Sequence, residues 1–342
     1  MCVSTKRGDA MPGKLDLDLD LDLDLDLDLD LRAGRGGGGR RFNTDDFCRL
    51  APVPPPAIAL PAPYFANWNA EYRAWPYVRE FIIGNLWPAL TIRDPIGTLF
   101  AELRAQTFFP VPNLLGDPAP ALPLTAPLLG AQMLGVLNAS IDRADRTGEI
   151  LDQASGAGAL RYWTGMLRID PRTDTNTVLL IRVARKIGEF VAMGLKERFL
   201  MRRPAQLYPW IMPLIDGPDT PSYPSSHALQ AHLISAALKL ALPVPQFPPV
   251  WPPVLAPWPA LGAWPPVVPP RPAALNETAQ ALDHLAYRVA YNREVAGVHY
   301  PMDSEAGKFA ALSCIFKLRV AGAAPMFQGL VGFAAGELAN RP

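Results

Sequence analysis

Three segments carry residues able to do anion chemistry, and their order along the chain gives them a common sense. In the first, Lys196 and Arg203 lie seven residues apart, with Pro204 directly after. As one helix, that spacing is two turns and puts both cations on one face, and Pro204 ends the helix. A lysine beside an arginine suits a tetrahedral oxyanion, the guanidinium acting as a two-pronged donor. In the second, Pro224, Ser225, Ser226 and His227 stand where a helical pattern begins. First-turn N–H groups and the positive end of the helix dipole make such a start a ready anion site. Ser225 adds a hydroxyl, and His227 can face the same anion as a proton donor. The third segment holds Asn292, Arg293, Gly297, His299 and Asp303. Arg293 is a third cation, and Gly297 permits a tight bend between two helices. Asp303, four residues after His299, can accept from one imidazole nitrogen and leave the other free to attack. Each segment alone has an ordinary structural use: a basic helix end, a serine cap, an incidental His–Asp pair. Together they gather two of the four histidines beside three cations; the other two, His232 and His284, read as structural or surface residues.

The elements that must position these residues are helical. Thr175–Met201 is a strong helix, with Asp174 or Thr175 as its cap and Leu179, Val183, Phe190 and Val191 as apolar anchors. Further helices are expected over Ser225–Leu242, Asn276–Arg293 and Pro301–Arg319, the last with proline in its first turn. Residues 128–155 also read as largely helical, with Met133, Leu134, Leu137 and Ile141 on one apolar stripe. No convincing alternation of strands appears, so the fold class is all-α, a helical bundle.

Composition bounds the rest. The 342 residues carry 32 basic and 32 acidic side chains, which argues against a nucleic-acid partner. Cys2, Cys48 and Cys314 are too few and too scattered for a disulfide framework, and a reducing, cytoplasmic setting is the expectation. The first residues hold no apolar core of a signal peptide. The one long uncharged run, Leu240–Pro270, contains twelve prolines and cannot be a membrane helix. Residues 1–45 hold eight Leu-Asp pairs and a glycine-rich basic stretch, and read as a disordered tail. Residues 46–342 read as a single domain, interrupted by a Pro/Trp-rich loop at 243–272.

The combined pattern resembles the type 2 phosphatidic acid phosphatase / vanadium haloperoxidase superfamily, whose signature is K-x6-R-P, then P-S-G-H, then S-R-x5-H-x3-D. Here Lys196-x6-Arg203-Pro204, Pro224-Ser225-Ser226-His227 and Arg293-x5-His299-x3-Asp303 match at every charged and catalytic position, across roughly residues 130–320. The resemblance implies a helical bundle of the acid phosphatase/vanadium haloperoxidase type. It also implies that Lys196, Arg203 and Arg293 neutralise the oxyanion, while Ser225 and the Ser226 N–H complete its cradle. By the same resemblance His299 is the nucleophile, Asp303 sets its tautomer and His227 is the general acid. The expected activity is hydrolysis of a small phosphate ester with no cofactor. The alternative is a haloperoxidase in which His299 ligates vanadate and halide and hydrogen peroxide are the substrates. Neither Thr220 nor Met193 supplies the aromatic group of a chloroperoxidase-like halide site, which favours the hydrolase. Ser226 in place of glycine and Asn292 in place of serine depart from the pattern.

Overall fold

A computed structural model describes residues 73–83, 94–105, 126–154, 156–242 and 277–339. The Leu-Asp tail, the proline-rich lead-in at 52–63, most of the proline-rich stretch at 110–127 and the 243–272 loop lie outside the described residues. Within them the chain is mostly helical and contains no strand. The helices, in chain order, are α1 (Trp75–Ile83), α2 (Pro95–Ala105), α3 (Ala126–Ala139), α4 (Arg143–Asp152), α5 (Gly156–Met166), α6 (Thr175–Phe199), α7 (Pro204–Leu207), α8 (Ser226–Ala241), α9 (Glu277–Val295), α10 (Pro301–Arg319) and α11 (Pro325–Ala339). None among the described residues is long and apolar enough to cross a membrane.

α8 is the axis of the bundle. Its sequence is alanine-rich and apolar on all sides, as befits a helix surrounded by others. It packs against α6, α9 and α10. Its polar residues are spent inward: Ser235 accepts from the Trp163 indole N–H at 2.8 Å and donates to Leu282 O at 2.8 Å. α10 crosses α8 so closely at Gly307 that a Cβ there would stand 2.7 Å from Ser225 O and 2.9 Å from Leu229 N. Only glycine permits that approach.

Several helix ends are satisfied from far along the chain. The Asp174 carboxylate, at the expected cap of α6, accepts from Asp170 N–H instead. The first-turn N–H groups of Asn176 and Thr177 go to the Glu337 carboxylate of α11, at 2.9 and 2.7 Å. α11 is capped in turn by Glu80 of α1, which accepts from Met326 and Phe327 N–H. Of the expected anchors of α6, Leu179, Val183 and Val191 are buried, and Phe190 packs at the edge of the core.

The apolar stripe expected on 128–155 is corrected. That region is α3, a short 3₁₀ turn at Ser140–Asp142, and α4. Met133 is buried, but Leu134 and Ile141 are 54% and 78% exposed, and Leu137 is exposed as well. α3 is apolar all round, so periodicity could not choose its inner face. A hydrogen bond chooses it: Gln132 Oε1 accepts from Met302 N–H in the first turn of α10, at 2.9 Å. This turns Gln132, Met133, Val136 and Ala139 inward.

Candidate anion site

The site forms where the end of α6, the start of α8 and the bend between α9 and α10 converge. α9 ends in a Schellman motif: Gly297 N–H reaches Glu294 O at 2.9 Å, Val298 N–H reaches Arg293 O at 3.1 Å, and Gly297 takes φ +82°. A Cβ at Gly297 would meet Arg143 Nη2 at 2.8 Å. The chain then passes through His299 and restarts as α10 with Tyr300 at the cap position. His299 therefore precedes the helix instead of sitting one turn below Asp303 on it. The contact survives because Asp303 occupies the third position of α10 and reaches back. Its Oδ2 accepts from Tyr300 N–H at 2.9 Å, from His299 Nδ1–H at 3.0 Å and from Ser222 Oγ–H at 2.5 Å.

That arrangement leaves His299 Nε2 as the nitrogen bearing the lone pair. Burial, and then the charges of Arg203, Lys196 and Arg293, hold the imidazole well below its ordinary pKa, so it is neutral at pH 7. Asp303 is raised by burial to about 6, still ionised at neutral pH. Arg203 Nη1–H points at His299 Nε2 from 3.2 Å and also donates to Val298 O. Arg203 Nε and Nη2 are taken by Thr220 O and Oγ1, at 2.9 and 3.0 Å.

Lys196 and Arg203 reach the site by a different route from the two helical turns expected. α6 stops at Phe199, Leu200 takes a left-handed φ of +51°, and Arg203 is extended and opens α7, with Pro204 in that helix's first turn. Proline thus starts a helix there rather than ending one. The two cations still converge, because both are drawn to the 220–222 strip. Lys196 Nζ donates to Pro221 O and, at 3.2 Å, to Ser222 O. Both side chains are buried, at 1% and 4% exposure, and neither is the solvated basic helix end that sequence alone allowed.

Ser225 caps α8: its Oγ accepts from Ala228 N–H at 3.3 Å, and its own N–H donates to Asp303 O at 3.0 Å. That second bond stitches α8 to α10. The hydroxyl hydrogen of Ser225 remains to donate. The N–H groups of Ser226 and His227 come next in this first turn, and neither finds an acceptor among the described residues. His227 is half-buried, and its Nε2 lies 3.2 Å from Gln153 O at the end of α4. Burial, then Arg293 and His299, push its pKa well below the ordinary value.

Arg293 is the outlier in the hydrogen-bond accounting. It is 1% exposed, Nη2–H donates to Ile150 O at 3.0 Å, and Nε–H and Nη1–H have no acceptor among the described residues. Burial lowers its pKa only to about 10, so the guanidinium stays charged. Its neighbour Glu294 does not balance it, because burial raises that carboxyl to about 8. The three buried cations are met by the ionised carboxylate of Asp303 and, at Arg293, by the charge of Glu149, which is itself paired with Arg288; the remaining positive charge is what an anion would neutralise. A cleft of about 220 Å³ opens beside Arg203, walled by Gln206, Pro213, Asp219, Gly297 and Val298.

All eight residues singled out from sequence are thus in or at the rim of one region. Sequence reasoning missed Ser222, Gln153, the hold of Thr220 on Arg203 and the linking role of Asn292. His284 is exposed; His232 is half-buried on the far face of α8 and takes no part. No protein-family model and no curated protein matches the chain.

Proposed function

We propose that the protein is a phosphoric-ester hydrolase of the type 2 phosphatidic acid phosphatase / vanadium haloperoxidase kind, working through a phosphohistidine on His299. The observation that carries this reading is Arg293: two donors of a buried guanidinium are without acceptors among the described residues, beside a neutral histidine whose Nε2 lone pair faces only Arg203 Nη1–H. A buried charged group with unmet donors is costly unless a ligand completes it.

In the proposed reaction the ester phosphate takes up the Arg293 donors and the first-turn N–H groups of α8, and Arg203 Nη1–H turns from His299 Nε2 to a phosphate oxygen. His299 Nε2 then forms the bond to phosphorus while the bond to the leaving oxygen breaks. His227, which takes up a proton from solvent as the anionic substrate binds, gives that oxygen the proton and is left neutral. Water attacks the phosphohistidine, His227 takes its proton back, and phosphate departs. Asp303 keeps the His299 proton on Nδ1 and stabilises the charge that develops on the ring. Fixed cations and N–H dipoles supply charge stabilisation without reorganising.

The same donors would hold vanadate on His299 Nε2, which as a Lewis acid would activate peroxide in the alternative reaction. Thr220 lends no aromatic ring to that chemistry and spends its hydroxyl on Arg203. The test is direct. Purified protein is given p-nitrophenyl phosphate and, separately, orthovanadate with peroxide and bromide. Phosphate release inhibited by vanadate is expected; bromide oxidation without phosphate release would replace the hydrolase by the peroxidase.

A further inference from the structure

α4 ends at Asp152, and two carbonyls at this helix end are turned into the site. Ile150 O accepts from Arg293 Nη2–H at 3.0 Å, and the next residue beyond the helix, Gln153, presents its carbonyl to His227 Nε2 at 3.2 Å. The side chain of Gln153 is clamped at both ends. Its Nε2–H donates to Glu149 Oε1 at 2.8 Å, and its Oε1 accepts from Asn292 Nδ2–H at 2.9 Å. Asn292 is held in turn by Arg146 Nη1–H at 3.0 Å, and Glu149 by Arg288 Nε–H at 2.7 Å. Gln153 and Asn292 are both fully buried.

We infer that Gln153 is a positioning residue for the general acid. Its clamped amide fixes the main-chain carbonyl that receives His227 Nε2–H, so the neutral ring carries its proton on Nε2 and exchanges the catalytic proton through Nδ1. The inference rests on the hydrolase reading and deepens it. In the bond-breaking step the imidazolium holds Nε2–H on Gln153 O and gives the Nδ1 proton to the leaving oxygen as the P–O bond breaks. The ring is left neutral, in the tautomer it had at rest. Asn292 then has a purpose: its side-chain amide accepts from Arg146 and donates to Gln153 at once.

The experiment uses the full chain with Gln153→Met, which keeps the side-chain length and removes the amide. Two esters are compared: 2,4-dinitrophenyl phosphate, whose leaving group needs no proton, and phenyl phosphate, whose leaving group does. A positioned acid contributes about 10²–10⁴-fold. The variant is expected to lose about 10- to 100-fold in kcat on the phenyl ester and less than about twofold on the dinitrophenyl ester. Equal losses on both esters would overturn the inference, because a merely structural role does not distinguish leaving groups. In the unmodified protein, ¹⁵N NMR of His227 is expected to show the Nε2–H tautomer. The Nδ1–H tautomer would overturn the inference whether or not the variant folds. If the unmodified protein cleaves neither ester, the hydrolase reading fails, and the tautomer measurement alone still decides what Gln153 does to His227.

Discussion

His299 leans on a buried carboxylate, whereas His227 leans on a carbonyl at a helix end, and the two supports suit different tasks. The carboxylate of Asp303 carries a full charge and gathers three donors on one oxygen, so it fixes the tautomer of His299 and would stabilise the positive ring that the proposed phosphorylation forms. The Gln153 carbonyl gives His227 a direction and only a partial charge. The protonation of His227 is thereby left to the other charges around it. Burial, with the charges of Arg293 and Arg203, keeps the ring neutral. A bound phosphate would reverse the sign of the local field and favour the imidazolium. A nucleophile needs a permanent support; an acid that must gain a proton when the substrate arrives does better with a weak one.

Substitutions can break this contrast at either corner. The largest effect is expected for His299→Ala, which removes the attacking nitrogen: turnover should fall to background, and no acid-labile phosphoenzyme should be trapped from ³²P-labelled substrate. Asp303→Asn comes next. It leaves the shape but offers His299 the wrong tautomer, and a loss of about 10³- to 10⁴-fold in kcat is expected, as for other carboxylate-oriented histidines. Its pH profile separates orientation from packing. The folded-state pKa of Asp303 is raised to about 6, so the ionised form is present above that pH and lost as the pH falls through it. The kcat/KM of the unmodified protein should therefore drop on the acid side near pH 6, and the asparagine variant should lack that limb.

At the other corner His227→Ala should cost about 10²–10⁴-fold on a poor leaving group, measured by phosphate release, and far less on a good one. The smallest effect belongs to Ser226→Gly. If residue 226 contributes only its N–H, vanadate should inhibit the variant within a few-fold of the unmodified protein. A tenfold weaker inhibition would show that the Ser226 hydroxyl donates to the anion, as a bond worth roughly 1.5–3 kcal/mol would.

The legible parts of the molecule are those whose signals are local. α8 and α10 begin within a residue of where Ser225 and Pro301 place them, because a serine cap and a first-turn proline act on their own turn. Gly297 is legible for the same reason, as the only residue type at ease at φ +82° there. α11 went unread although Pro325 opens it, since its cap is Glu80, distant in sequence. In the site, the titratable residues declare themselves by type. The path of Lys196 and Arg203 did not, because it turns on a leucine held left-handed at residue 200. Ser222, Gln153 and the hold of Thr220 on Arg203 stayed hidden because they act through a hydroxyl and main-chain carbonyls, which no residue pattern advertises.

Gly307 has a consequence for the substrate choice of the proposed hydrolase. On one side of it lies α8, with Ser225 and His227; on the other, α10, with Asp303 and the bend that holds His299. At this crossing the two backbones touch with nothing but a hydrogen atom between them. The gap between donor and attacker is thus gauged by the absence of a side chain four residues beyond Asp303. A methyl group there would act as a spacer, levering apart two rigid rods at a point close to their working ends, and packed helices yield as bodies rather than atom by atom. The size of anion the pocket grips is in that sense written at a residue that never meets it.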